Sequence, residues 1–408
     1  MSKIKIQNFG PIKEGLQDDE GWLYIKRVTV FIGNQGSGKS TVAKLISTLT
    51  WLEKALVRGD FTADELSDDI VRRHCSYQKI DSYFRADTSI EYHGNAYLIT
   101  YRNGDVKASP NPENGYAFPK IMYVPSERNL VGSVRNIGKL KGLPSTLYTF
   151  ADEFFDALET IEGQMELPIN NATLEFERLT KVVKIRGLDY SVELPIASSG
   201  FQSFVPLFLV TDYLAKSLTR KHDLSKNNLS IDEERRLERM VRDLMTDPIL
   251  SDDIKRIRLR QLSAQRDHAA FINIVEEPEQ NLFPTSQRNA LNSLLINNNT
   301  NYNNKLVITT HSPYLINYLT LAVKTYSILS KKIINNQDVF DKLSKIVPLD
   351  AVLDPNDLVI YELDEKNGSI TKLKFFDGLP SDENYLNNTL GVLNDLFDSL
   401  ISIEQNQK

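Results

Sequence analysis

Cysteine is nearly absent from this chain of 408 residues, because Cys75 is the only one. A single cysteine excludes an internal disulfide framework and is typical of a protein in a reducing compartment. No apolar run approaches the roughly 20 residues that a membrane-spanning helix needs. The first residues, "MSKIKIQNFGPIKEG", lack the apolar core of a signal peptide. We therefore expect a cytoplasmic protein that makes no contact with a membrane.

An excess of positive charge is also missing, since the net charge is −6. This negative net charge argues against a protein whose entire surface attracts nucleic acid. Local basic clusters remain, and they are interpreted as solvated helix faces or, alternatively, as contacts for DNA or an acidic protein: Arg72–Arg73, Lys216–Lys221 and Lys255–Arg266. No internal repeat and no heptad run of coiled-coil length is present.

Strand-like and helix-like segments alternate along the chain. The alternation predicts an α/β fold with a mixed central sheet, an antiparallel N-terminal β-meander and helical insertions. Glycine-containing turns, "HGN" and "RNGD", separate the strands of the meander. The α/β core is predicted in two halves, 1–127 and 267–380. Between them we expect a helical insertion at 128–178, a hairpin with a helix at 179–215 and a charged helical insertion at 216–266. A helical tail follows at 381–408.

The stretch "GNQGSGKS", Gly33 to Ser40, fits the phosphate-loop pattern G-x-x-x-x-G-K-S. An apolar strand, "VTVFI", precedes it and an amphipathic helix follows, as this loop requires. Glycines allow consecutive backbone N–H groups to face phosphates, Lys39 would reach the β- and γ-phosphates, and Ser40 would bind Mg²⁺. The alternative is a glycine-rich turn before a helix. The candidate ATP-binding residues are Gly33, Asn34, Gln35, Gly36, Ser37, Gly38, Lys39, Ser40 and Thr41.

The stretch "FINIVEEPE" places two carboxylates where an apolar strand stops. A phosphate loop needs an acidic strand end for Mg²⁺ and a group that activates water. We expect Glu276 to hold the metal directly or through its water, and Glu277 to act as the general base. A solvated acidic turn is the alternative.

Two further segments extend this site. His311, in "VITTHSP", follows another apolar strand, where we expect it to sense the γ-phosphate rather than serve a structural role. In "ASSGFQS", Ser199 and Gly200 precede a helix and form a second anion-binding helix start, or a simple serine cap. One nucleotide does not need two such starts. Two copies arranged head to tail do, each closing the site of the other.

Together these motifs resemble those of ATP-binding-cassette (ABC) ATPases of the SMC, RecF and OLD-like group. "GNQGSGKS" resembles Walker A, "ASSGFQ" the signature, "INIVEEPE" Walker B, "EQNLFP" the D-loop and "TTHSP" the histidine switch. The resemblance implies an ABC-type ATPase head that uses ATP and Mg²⁺, with Lys39, Glu277 and His311 as catalytic residues and Ser199 acting in trans. The Q-loop glutamine has no clear counterpart, and Gln78 is left unassigned.

Within that group, "FGPIKEG" and "VPSERN" resemble the stand-alone ATPases of prokaryotic antiphage systems, closest to the ATPase subunit of PARIS. This resemblance implies a sensor and scaffold that forms a dimeric or hexameric assembly and holds a separate TOPRIM nuclease. It also implies release of that nuclease when a phage protein, an acidic DNA mimic, is sensed. The alternatives are a Septu-like ATPase with an HNH nuclease partner and a RecF-like repair ATPase that binds DNA directly.

Overall fold

The computed structural model contains a seven-stranded central sheet, three smaller sheets and the helices that pack against them. Among the described residues, no helix is both long enough and apolar enough to cross a bilayer. The described residues are 1–111, 115–135, 137, 140–219, 269–330 and 337–405.

A seven-stranded mixed sheet forms the centre of the fold. Five of its strands are parallel neighbours, and the two at one edge join through an antiparallel pairing. In spatial order the strands are β2 (Gly15–Leu16), β16 (Ser369–Lys372), β15 (Leu358–Leu363), β4 (Val28–Gly33), β14 (Lys305–Thr310), β13 (Ala270–Glu276) and β8 (Pro119–Val124).

Three smaller sheets are antiparallel throughout. The first is the N-terminal meander, with β3 (Leu23–Tyr24), β1 (Lys3–Phe9), β5 (Phe84–His93), β6 (Tyr97–Arg102) and β7 (Asp105–Pro110). The second contains β12 (Ser191–Glu193), β11 (Val182–Arg186), β10 (Thr173–Glu177) and β9 (Gln164–Glu166). The third pairs β17 (Phe375–Phe376) with β18 (Leu379–Pro380).

Helices cover both faces of the central sheet. Two of them begin with proline, which suits a first helical position because its missing N–H has no partner there. In chain order they are α1 (Lys39–Arg58), α2 (Asp68–Tyr77), α3 (Asn129–Ser133), α4 (Ser145–Glu159), α5 (Ser199–Thr219), α6 (Pro284–Asn299), α7 (Pro313–Leu329), α8 (Gln337–Ile346) and α9 (Tyr385–Gln405).

The core divides into two clusters because successive strand residues point to opposite faces. In β4, Val30 and Ile32 enter the cluster that contains apolar residues of α4 to α7. Phe31 enters the other cluster, with α1 and the meander. Every residue of β4 is buried, so the strand that leads into the glycine-rich loop is held from both sides.

The predicted α/β fold with a mixed central sheet and an antiparallel N-terminal meander is confirmed. The segment 128–178 is helical only in its first part, since Gln164–Glu166 and Thr173–Glu177 are strands. The boundary expected at residue 178 therefore lies between two paired strands of one sheet. The charged insertion predicted at 216–266 and the basic cluster Lys255–Arg266 lie outside the described residues, apart from the end of α5.

Candidate nucleotide site

Three of the predicted segments, which are the glycine-rich loop, the glutamate pair and His311, meet at one edge of the central sheet. β4, β14 and β13 are parallel, and their registers pair Ile32 with Thr310 and Thr309 with Glu276. The residues that follow these strands therefore emerge side by side at the carboxyl edge, where open α/β sheets bind ligands. This edge carries the glycine-rich loop, the two adjacent glutamates and His311.

The glycine-rich loop turns sharply as it leaves β4. Gly33 has a φ of +143°, and a Cβ at this position would lie 2.3 Å from the carbonyl oxygen of Leu363 on the neighbouring strand. Only glycine fits that approach. Residues 34–36 are exposed at the tip of the loop, while Ser37 and Thr41 are buried and Ser40 is exposed on the first turn of α1.

Lys39 lies in the loop and points toward the end of β14. Its Nζ donates to the carbonyl oxygens of Gly33 at 2.9 Å and Asn34 at 2.8 Å, and lies 3.5 Å from Nδ1 of His311. Burial lowers the pKa of Lys39 to about 8, against the nearby charges of Glu277 and Glu279, which raise it. A phosphate bound next to this ammonium would favour its charged form and so raise the pKa of Lys39 again.

Glu277 completes a row of three charged or titratable side chains. Its Oε1 lies 3.5 Å from Nε2 of His311, so the imidazole stands between Glu277 and Lys39. Contact with His311 lowers the pKa of the Glu277 carboxyl despite its partial burial. A half-exposed ionised carboxylate next to an imidazole is suited to orient water and accept its proton.

Glu276 ends β13 and is 4% exposed. Its Oε2 accepts a hydrogen bond from the backbone N–H of Ser126 at 3.2 Å, and its Oε1 accepts none from the described residues. A buried carboxylate oxygen without a donor is suited to a cation or its bound water. The described part of the chain has no group of three or more His, Cys, Asp or Glu residues placed to hold a metal. A Mg²⁺ ion here would complete its shell with phosphate and water.

Glu279 holds the backbone at His311 in place through hydrogen bonds. The sequence alone assigned it no role. Its Oε1 accepts hydrogen bonds from Thr310 Oγ1 and from the backbone N–H of His311, each at 2.8 Å. Burial raises the pKa of this carboxyl. The only sequence signal was its place in "EEPE", three residues after Glu276. Through its bonds Glu279 connects the turn after β13 with the turn after β14.

Arg128 is the second residue that the sequence analysis missed. It is fully buried and lies just after β8, the strand next to β13. Its guanidinium donates to the carbonyl oxygens of both Glu276 and Glu277 at 2.6 Å. "VPSERN" comes at the end of a strand of the central sheet, as the other site segments do. That shared position was the sequence signal that pointed to Arg128.

The structure does not bring the signature residues to the glycine-rich loop of the same chain. Ser199 is exposed at the start of α5, and Gly200 packs against the carbonyl oxygen of Asn281. Among the described residues no hydrogen bond or ion pair joins residues 199–200 to residues 33–41. Gln78 is also away from the site, since it is buried at the end of α2 and donates to Ser47 Oγ at 3.2 Å.

Solved structures that resemble this fold include SMC head domains and ATP-binding cassettes. One is the SMC head domain from Thermotoga maritima, with 11% identity over 92% of this chain and 98% of that chain at a TM-score of 0.37. Another is the Smc head domain with an extended coiled coil, bound to the C-terminal domain of ScpA, from Pyrococcus furiosus, with 9% identity over 97% and 100% of the chains at 0.34.

A third is a dimeric ATP-binding cassette in a post-hydrolysis state, bound to ADP and Pi, with 12% identity over 92% of this chain and 100% of that chain at a TM-score of 0.28. No protein-family model matches this chain, and no curated protein matches its sequence. At such low identities and TM-scores the function has to be argued from the residues of this chain.

Proposed function

We propose that this chain is an ATPase that binds ATP with Mg²⁺ at residues 33–41 and hydrolyses it with Glu277 as the general base. The observation that carries the proposal is the row Lys39, His311 and Glu277, joined by two contacts of 3.5 Å at the edge where three parallel strands end. A glycine-rich turn or a solvated acidic turn alone does not explain why these side chains meet.

Each residue has a distinct part in the proposed reaction. Backbone N–H groups of the glycine-rich loop and the start of α1 hold the phosphates, and Lys39 neutralises their charge. Ser40 and Glu276 would hold the Mg²⁺, which polarises the phosphates when it is bound. Glu277 orients the attacking water and accepts its proton, while His311 contacts both Glu277 and Lys39.

Replacing Glu277 with glutamine tests this assignment. The variant should still bind ATP, because the amide keeps the shape of the carboxylate, but its turnover should fall about a hundredfold or more without the base. The measurement is phosphate release at saturating ATP beside equilibrium binding of ATP. Glu91→Gln, which removes a carboxylate from an ion pair of the meander, is the matched control and should keep normal turnover. Normal turnover of Glu277→Gln would remove Glu277 from the mechanism.

The proposed active unit contains two copies arranged head to tail. In one chain Ser199 is exposed and forms no hydrogen bond with the glycine-rich loop, so we infer that its helix start serves the nucleotide of a second chain. Phe283, within the D-loop segment, is also exposed, and the preceding residue Leu282 lies beside Gly200. ATP would then join two copies and hydrolysis would separate them, so that the nucleotide controls the assembly.

For the biological role we propose an ATP-dependent sensor and scaffold of a prokaryotic antiphage system similar to PARIS. In this role the assembly, dimeric or hexameric, holds a separate TOPRIM nuclease and releases it on binding a phage-encoded acidic DNA mimic. The support is the sequence resemblance of "FGPIKEG", "VPSERN", "SSGFQ" and "EEPE" to such stand-alone ATPases.

Co-purification of the tagged chain with the product of its neighbouring gene, in ATP, tests this role. Mass photometry of the eluate gives composition and stoichiometry, and Lys39→Ala is the control that removes ATP dependence. An ATP-dependent complex with a TOPRIM nuclease supports the proposal, and an HNH partner would replace it with the Septu-like role. A lone dimer that captures DNA with ATP, and loses it steeply with salt, would indicate the RecF-like role.

A further inference from the structure

Arg128 joins three separate segments through backbone carbonyl groups. Besides Glu276 and Glu277, it donates from Nη1 to the carbonyl oxygen of Pro125 at 3.2 Å and from Nε to that of Ser203 at 3.2 Å. Ser203 belongs to α5, the helix that Ser199 begins. One buried guanidinium therefore connects the end of β8, the glutamate turn after β13 and the signature helix.

The guanidinium is one of the groups that hold the glutamate turn. Glu277 has a φ of +44°, a left-handed conformation that is unfavourable for a residue with a side chain. Its backbone N–H donates to the carbonyl oxygen of Thr309 at 2.8 Å, and its own carbonyl oxygen accepts from Arg128. The same carbonyl oxygen also accepts from the backbone N–H of Gln280 at 3.0 Å, so Arg128 and Gln280 together hold this peptide group and the point at which the Glu277 side chain leaves the backbone.

The signature helix is held equally closely. Gly132 of α3 faces α5, and a Cβ on it would lie 2.3 Å from the carbonyl oxygen of Gln202, so the two backbones touch. Pro206, inside α5, has no N–H to donate to that same carbonyl. Asn281, in the segment after the glutamates, adds a hydrogen bond from Nδ2 to Ser203 Oγ at 2.9 Å. The glutamate turn and the segment after it are thus in direct contact with α5.

We propose that Arg128 is a positioning residue that orients Glu277 and couples it to the signature helix of the same chain. This inference rests on the proposed head-to-tail function, in which Glu277 acts at one ATP site and Ser199 of the same chain closes the other. Arg128 then links the two sites, and the nucleotide state of one reaches the other through a single side chain.

Lysine at this position keeps the positive charge but not the fork of donors that reaches four carbonyl groups. A one-site heterodimer separates the two roles of Arg128. One chain, the hydrolysing chain, carries Ser199→Arg and supplies the glycine-rich loop and Glu277. The other, the closing chain, carries Lys39→Ala and supplies Ser199. The two chains carry different tags, and tandem purification isolates the pair, which has one working site.

Arg128→Lys in the hydrolysing chain should lower kcat about a hundredfold with KM changed less than about twofold, because a misplaced base affects the chemical step. In the closing chain, whose own ATP site is empty, it should lower kcat about tenfold through coupling alone. Wild-type kcat in the first pair would overturn the positioning role, and wild-type kcat in the second pair would overturn the coupling role.

Two controls keep these outcomes interpretable. Arg58→Lys alters another partly buried arginine, which pairs with Asp60 at the far end of α1, and should leave kcat unchanged in either chain. Thermal unfolding checks each variant, and where Arg128→Lys does not fold, Gly132→Ala in the closing chain replaces it. That variant should lower kcat in the same direction, and an unchanged kcat would overturn the coupling.

Failure of the head-to-tail arrangement gives a different result. The unmodified pair should regain activity that neither chain has alone, and a pair that stays inactive contradicts the composite site and the coupling with it. The positioning role is still tested in that case, because Arg128→Lys in the otherwise unchanged protein should lower kcat about a hundredfold with little change in KM. An unchanged kcat there would overturn it.

Discussion

The buried ammonium of Lys39 predicts that ATP binding weakens at alkaline pH. Burial lowers the pKa of Lys39 to about 8, so the side chain loses its proton well below the usual range for lysine. Bound phosphates favour the charged form, because an opposite charge nearby stabilises it. Above pH 8 the free protein must therefore take up a proton in order to bind ATP.

The size of the effect follows from the fraction of Lys39 that is protonated. With a pKa of about 8 this fraction falls from about 0.9 at pH 7 to about 0.1 at pH 9, so the affinity for ATP should fall about tenfold. Isothermal titration calorimetry with a non-hydrolysable ATP analogue, in two buffers of different ionisation enthalpy, counts the protons. We expect uptake of about 0.1 proton at pH 7 and about 0.9 at pH 9.

Two variants identify the group that titrates. Lys39→Arg stays charged throughout this range, so whatever affinity it retains should lose the pH dependence. Lys305, whose pKa burial also lowers to about 8, lies outside the site, where its Nζ donates to Ser2 Oγ. Lys305→Met should therefore keep the pH dependence. Equal affinity at pH 7 and pH 9 in the native chain, with no proton uptake, would refute the reasoning.

Two substitutions at the site edge give further predictions. Gly33→Ala would place a Cβ 2.3 Å from the carbonyl oxygen of Leu363, so nucleotide binding should be lost and unfolding in urea should become easier by about 1–3 kcal/mol; unchanged binding would contradict the close approach. Glu279→Gln weakens the charge-assisted bonds to Thr310 and His311, so kcat should fall about tenfold while KM changes little, as steady-state kinetics can measure. A change confined to KM would show that Glu279 acts on binding instead.

The glycine-rich loop and the adjacent glutamates could be predicted from the sequence because their chemistry is local. A phosphate loop needs consecutive residues between one strand and one helix, and "GNQGSGKS" supplies all of them. Glu276 and Glu277 likewise follow a single apolar strand. The meeting of Lys39 with His311 required only that parallel strands end at the same edge.

Arg128 could not be found in the same way because its partners are far apart in the chain. Its bonds reach Pro125, Ser203 and the two glutamates, and they exist only because β8 lies beside β13 and α5 packs on β13 and on the turn after β8. Strand order and helix packing of this kind leave no local pattern. The strand at 164–166 was missed because "QME" is too short to show an alternation, whereas "TLEFE" at 173–177 does alternate and was an available signal.

The position of β4 in the central sheet has a consequence for the synthesis of the protein. Within the described ranges its strand neighbours are Lys305–Thr310 and Leu358–Leu363, so an apolar segment made near the N-terminus stays without these partners until the chain has grown past residue 305. At about 5–20 residues per second this delay lasts tens of seconds on the ribosome. During that time "VTVFI" is an open strand that can pair with other chains. Expression at a lower growth temperature, or with added chaperone, should therefore raise the yield of folded protein.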